Sequence, residues 1–230
     1  MHEFTDMTLV LKPAQSEHWA IEHFEVSKQE ADHARLSAIF NRDPFLRMIE
    51  PGKYVRLRKK ANADPMMSNT PSELSTNLEV VRNAHGRVLI GGLGLGAILV
   101  PILRNPRVLE VTVVELEPEV IDLVEPQLRD FLDRDSIESM KLIVEQGDIY
   151  TWVKGKKRTD KFDTIYFDIW PTICADNYPS MCALRLRYKH LLRSKQENPK
   201  RWMGAWLDYY IWSIARREGI TYKAVKHELP

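Results

Sequence analysis

A chain of 230 residues, 44% of them apolar, is long enough to bury one substantial core, and its formal net charge of +1 supplies no global field for nucleic acid or a membrane surface. Its two cysteines, Cys174 and Cys182, are too few and too close for a disulfide framework, which points to a reducing compartment with the cytoplasm as the default. The longest apolar run, 88–103, is interrupted by glycines and Pro101 and reads as a buried strand and helix, and the N-terminus shows no basic region before its apolar residues, so no membrane span or secretory signal is expected.

Residues 1–64 read as an extension with short elements of its own. Residues 8–11 and 20–26 look like strands by alternation and β-branching, and 30–40 carries apolar residues at helical spacing. Pro51-Gly52 marks a turn, after which 54–58 alternates as a half-buried strand. Arg56, Arg58, Lys59 and Lys60 cluster there, a solvated face with an anion-binding rim as the alternative. Met66 and Met67 then run into a turn that opens a helix, with Ser68 or Thr70 as its cap, Pro71 in the first turn and Glu73 complementing the dipole. These methionines either fill a gap in the core or form a wall over a ligand.

The most informative stretch follows. Val88, Leu89 and Ile90 form an apolar strand that ends in Gly91-Gly92-Leu93-Gly94-Leu95-Gly96, and 97–103 reads as a helix. Glycines let the backbone turn sharply and approach a ligand closely, and the helix start that follows aims unpaired N–H groups at it. About twenty residues on, strand 111–114 ends in Glu115, placed to accept hydrogen bonds from ribose hydroxyls. An adenosine-bearing cofactor is the sharp reading. Gly92-x-Gly94-x-x-Ala97 also fits the dinucleotide fingerprint, so NAD stays open, although no second domain is expected to hold a nicotinamide and a substrate.

Residues 117–132 place Val120, Val124, Leu128 and Leu132 near one helical face. Strand 142–144 runs into Gly147-Asp148-Ile149, and strand 162–168 ends in Asp168 followed by Ile169-Trp170-Pro171. Asp148 also suits a helix cap over 149–153. A helix is expected over 180–196, and a fifth strand from Trp202 running into a helix to Arg217. This alternation predicts an α/β fold with a mostly parallel sheet and helices on both faces. In such a sheet the strand C-termini share one edge, so Glu115, Asp148 and Asp168 would converge there.

Over roughly 65–215 the chain resembles the class I S-adenosylmethionine-dependent methyltransferases. The resemblance rests on Gly92-x-Gly94-x-Gly96, VVELEPEV with Glu115, Gly147-Asp148-Ile149 and FDTIYFDIWPT with Asp168. VVELEPEVIDLV is also similar to spermidine synthases, whereas MSNTP with YFDIWP is similar to the guanidinoacetate and arginine N-methyltransferase branch. It implies a Rossmann-like domain over 65–230 with a shortened C-terminus, binding S-adenosylmethionine and transferring its methyl group to a small amine- or guanidine-bearing molecule. Aminopropyl transfer and non-catalytic nucleotide binding are the alternatives. By this resemblance Gly92, Gly94 and Gly96 cradle the amino-acid portion, Glu115 and Leu116 meet the ribose, Asp148 and Ile149 meet the adenine, and Asp168 faces the transfer site as catalytic and cofactor-contacting residue. Met67, Asn69 and Trp170 fall on the acceptor side, with Tyr178 and Trp206 as further aromatic walls. Ile90 stands where an acid often precedes the glycines, and Asn69 where the guanidino enzymes carry a glutamate. No metal is implied, nucleic acid and membrane are not expected as partners, and a homodimer is compatible with the family.

Overall fold

The computed structural model of the chain describes residues 4–41, 49–61 and 65–220. Ala14–Gln15 (β1), Trp19–Val26 (β2), Gly52–Lys59 (β3) and Pro65–Ser68 (β4) form an antiparallel sheet in chain order, with Lys28–Asn41 (α1) inserted between β2 and β3. Alternation sorts β3 into two faces. Val55 and Leu57 are buried, while Arg56 and Arg58 both reach Glu22 on β2, at 2.8 and 2.7 Å. Lys60 donates to the Ser16 carbonyl at 3.1 Å, so three members of the basic cluster are engaged on the outside. The strand expected over 8–11 is instead a 3₁₀ turn, Met7–Leu9. Asp6 accepts from the Thr8 backbone and hydroxyl at 2.9 and 2.8 Å, and this local cap overrides the β-branched pattern.

Pro71–Thr76 (α2) and Leu78–Asn83 (α3) lead into a second, five-stranded sheet. Its strands are Gly86–Gly91 (β5), Val108–Glu115 (β6), Leu142–Gln146 (β7), Thr164–Phe167 (β8) and Trp202–Ala205 (β9), all parallel, in the order β7-β6-β5-β8-β9. The chain builds outward from β5 on one side, then returns to add β8 and β9 on the other, which leaves a crevice at the C-terminal ends of β5 and β8. The expected fifth strand is present and parallel.

Leu99–Arg104 (α4), Pro118–Arg134 (α5), Ile149–Trp152 (α6), Asn177–Tyr188 (α7) and Asp208–Arg217 (α8) cover the two faces. Val88 and Ile90 join one core with α4, α5 and the inner face of the antiparallel sheet, whereas Leu89 joins another with α6, α7 and α8. All three are 0% exposed, which is why β5 reads as an unbroken apolar run. On α5, Val120, Val124, Leu128 and Leu132 recur every fourth residue and are buried, and truncating Leu128 to Ala would cost about 2–5 kcal/mol.

The two sheets are tied at α5. Gln127 Oε1 accepts from Lys12 N at 2.8 Å, and Glu119 accepts from the Ser16 hydroxyl and from His18 N at 2.9 Å. The helix expected over 180–196 stops at Tyr188. Beyond it the chain folds back against Phe162, whose N–H donates to Leu191 O at 2.8 Å while Arg193 N donates to Phe162 O at 2.9 Å. Leu191 is therefore buried from a loop rather than from a helix face. Among the described residues no helix is long and apolar enough to cross a membrane.

Candidate cofactor and acceptor site

A cavity of about 460 Å³ lies between the C-terminal edge of the parallel sheet and the inner face of the antiparallel one. That volume falls in the range of small-molecule sites. Gly92, Gly94, Glu115, Leu116, Asp148, Ile149 and Asp168 all line it, so the three strand-end acids share one wall system as the sheet topology requires. The strand order places them along the edge as Asp148, Glu115, glycine turn, Asp168.

The glycine turn is built for close approach. Gly92 has φ +97°, and a Cβ there would lie 2.2 Å from the Asp168 carbonyl oxygen, so only glycine lets β5 and β8 finish side by side. Glu115, 8% exposed, secures the turn: Oε2 accepts from Leu93 N at 2.7 Å and Oε1 from Glu117 N at 2.9 Å. Each oxygen keeps a lone pair for a ligand hydroxyl. Asp148 caps α6, accepting from Tyr150 N at 2.8 Å through Oδ1, which leaves Oδ2 for a donor in the cavity. The cap and the cavity position are thus held by one residue. Leu116 is 59% exposed and Ile149 buried, giving apolar surface beside these acids.

At the β8 end a second carboxylate meets Asp168. Glu73, in the first turn of α2, lines the cavity with Oε2 fixed by the Ser68 N–H and hydroxyl, both at 2.7 Å. The Asp168 carboxylate makes no side-chain hydrogen bond with the described residues. Burial pushes its carboxyl up to about 7, and the Glu73 charge adds to the rise. Burial also pushes Glu73 up to about 7, against the pull of its two Ser68 hydrogen bonds. Around the pair stand Trp170 and Trp206, whose indole N–H groups are engaged by Ser180 Oγ and Thr76 Oγ1 at 2.8 Å each. Asn77 is oriented there by Tyr166, whose hydroxyl donates to its Oδ1 at 2.7 Å. Among the described residues lining the cavity, five are acids and only Lys59 is a cation, so the site favours positively charged ligands.

Three of the expected residues lie outside the cavity lining. Asn69 does not line the cavity; its Oδ1 accepts from Val55 N at 2.6 Å and its N–H donates to Val55 O at 3.1 Å, extending the β3 ladder. Gly96 does not line it either; its φ of +69° and the approach of Leu128 Cδ2, 3.1 Å from a built Cβ, make it a packing glycine under α5. Tyr178 lies outside, edge-on to Trp212 at 6.3 Å. Met67 lines the cavity, its thioether against the glycine turn. Glu73 is the residue the sequence did not reveal as a site member, since an acid in the first turn of a helix looks the same whether it serves the dipole or a ligand. Among the described residues no three His, Cys, Asp or Glu side chains gather as metal ligands.

No protein-family profile matches the chain, and no curated protein sequence does. Solved structures that align with it include a protein from Staphylococcus aureus described as a caffeoyl-CoA O-methyltransferase, 16% identical, with 73% of this chain and 63% of that one covered and a TM-score of 0.37. The spermidine synthase of Thermotoga maritima is 17% identical over 81% of this chain and 54% of its own, with a TM-score of 0.45. A spermidine synthase in complex with the transition-state analogue AdoDATO is 17% identical over 81% of this chain and 56% of its own, with a TM-score of 0.49. The match thus spans less than two thirds of each of these chains.

Proposed function

We propose that the chain is an S-adenosylmethionine-dependent methyltransferase acting on the nitrogen of a small amine- or guanidine-bearing molecule. The observation that carries this reading is the Glu73–Asp168 carboxylate pair in a cavity whose described lining holds five acids against one lysine, the other acids suiting an adenosine. The residues fit the cofactor. The turn excludes any Cβ at Gly92, Glu115 retains acceptor capacity for ribose hydroxyls, Asp148 keeps Oδ2 for an exocyclic amine, and Leu116 and Ile149 offer surfaces for a flat base. When bound, the cofactor supplies an electrophilic methyl group on a sulfonium.

The chain's own groups supply alignment and proton handling. Glu73, with Oε2 fixed by Ser68, holds an acceptor N–H on Oε1 and so aims the nitrogen's lone pair. Asp168, raised to about 7, accepts the proton that the nitrogen must lose, a task for which an ordinary carboxylate is too weak a base. Trp170, Trp206 and Met66 keep the reacting end apolar, which strengthens these electrostatic contacts.

Incubating the protein with S-adenosylmethionine and a panel of small amines and guanidines, with mass-spectrometric detection, tests the reading. It predicts a methylated product, lost in Asp168→Asn while cofactor binding persists. Aminopropyl transfer from decarboxylated cofactor with no methylated product would replace methyl transfer, and no product from either would remove the enzymatic reading.

A further inference from the structure

Four N–H groups of the glycine turn have partners within the protein. Gly92 N donates to Val114 O at 2.9 Å, Leu93 N to Glu115 Oε2 at 2.7 Å, Gly96 N to Leu93 O at 2.9 Å, and Leu95 N to the thioether of Met67 at 3.1 Å. The last is the odd one, because thioether sulfur is a weak acceptor beside carbonyl or carboxylate oxygen. Yet its seat is closely shaped. Gly94 has φ +51°, and a Cβ there would lie 2.1 Å from Met67 Sδ and 3.1 Å from Cε. Met67 reaches this point from β4, where it pairs with Leu57 of β3, so one side chain spans from the antiparallel sheet to the turn of the parallel sheet. It is partly exposed to the cavity. A polar tail on a bound ligand would compete for the same Leu95 N–H.

We propose that Met67 is a reversible oxidation site that shuts this cavity: its thioether takes an oxygen from a hydroperoxide, and the sulfoxide oxygen then holds the glycine-turn N–H against the ligand. The step is a two-electron transfer. A sulfur lone pair attacks one peroxide oxygen, the S–O bond forms as the O–O bond breaks, and with hydrogen peroxide the departing hydroxide leaves as water after taking the proton from the new S–OH group. Sulfur is oxidised and peroxide reduced. A dithiol reductase reverses the step, its two thiols becoming a disulfide while the oxygen leaves as water. Oxidation replaces a weak acceptor by a strong one beside its donor, and the flexible methionine side chain draws back from the 3.1 Å contact to make room for the added oxygen.

The inference takes the cavity as an adenosyl-ligand site from the reading above, but its first readout does not depend on that. The full chain is treated with hydrogen peroxide, the oxidised methionines are mapped by mass spectrometry, and amide exchange at Leu95 is followed together with calorimetric binding of S-adenosylhomocysteine. Oxidation at Met67 should slow Leu95 exchange and weaken ligand binding, each by about tenfold, the scale of one hydrogen bond to a strong acceptor. Methionine sulfoxide reductase should restore both, and Met67→Leu should show neither response. Met140, 89% exposed and outside the cavity, oxidises under the same conditions, so Met140→Leu should respond as the parent does. Unchanged Leu95 exchange with Met67 oxidised, or an equal response in Met67→Leu, overturns the proposal. Slowed Leu95 exchange in a protein that never binds the adenosyl ligand would support the closure and remove the cofactor reading.

Discussion

Replacing Glu73 by Gln removes one negative charge beside Asp168 while keeping an oxygen for the Ser68 donors. The Asp168 carboxyl rises from 3.8 to about 7, a rise of about three, with burial the larger cause and Glu73 the smaller. Burial being the larger cause, removing Glu73 should bring the acid limb of the kcat/KM profile down while leaving it above the ordinary carboxylate range. The lost contact to a cationic acceptor adds a second effect, about 1.5–3 kcal/mol, or roughly ten- to a hundredfold in kcat/KM. Product formation followed by mass spectrometry between about pH 5 and 9, at saturating cofactor, reads both. An acid limb that stays put or moves up in Glu73→Gln, with kcat/KM unchanged, would refute the claim that the two carboxylates act as a pair on the acceptor.

The same carboxyls tie stability to pH. Between about 4 and 7 the folded chain binds more protons at Glu73 and Asp168 than the unfolded chain, so stability falls as pH rises across that window. Asp168→Asn should therefore melt above the parent near pH 8 and at the parent's temperature near pH 4, a difference that thermal unfolding in matched buffers detects. Gly92→Ala would set a Cβ 2.2 Å from a backbone oxygen at φ +97°, and an expected loss of about 2–3 kcal/mol or more should appear in denaturant melts. Asn69→Ala leaves the Val55 N–H without its acceptor and should cost about 1–3 kcal/mol of stability with the acceptor KM unchanged, the opposite pattern from a substrate contact.

What the sequence made legible is what local pattern encodes. The apolar run 88–90 is buried on both faces, the glycines turn at its end, and three acids follow strand candidates, so topology alone brings Glu115, Asp148 and Asp168 to one edge. The residues that escaped are set by contacts between distant segments. Glu73 enters the cavity because α2 stands between the two sheets, and its role depends on burial beside a residue 95 positions away. Asn69 looked like a substrate contact because it precedes Thr70-Pro71, yet the antiparallel sheet claims its amide for Val55. Gly96 shares the spacing of Gly92 and Gly94, but Leu128 on α5 gives it a packing task. The strand expected at 8–11 lost to two short-range bonds that Asp6 accepts from Thr8, and the helix expected to 196 ended where the loop bonds to Phe162 outcompeted its apolar periodicity.

Methyl transfer by this chain requires the acid-lined crevice to receive an adenosyl ligand. Calorimetric titration of the untreated protein with S-adenosylhomocysteine and, separately, with NAD decides it. Saturable one-site binding of the first and none of the second is the predicted result; heat with NAD alone, or with neither, would contradict it.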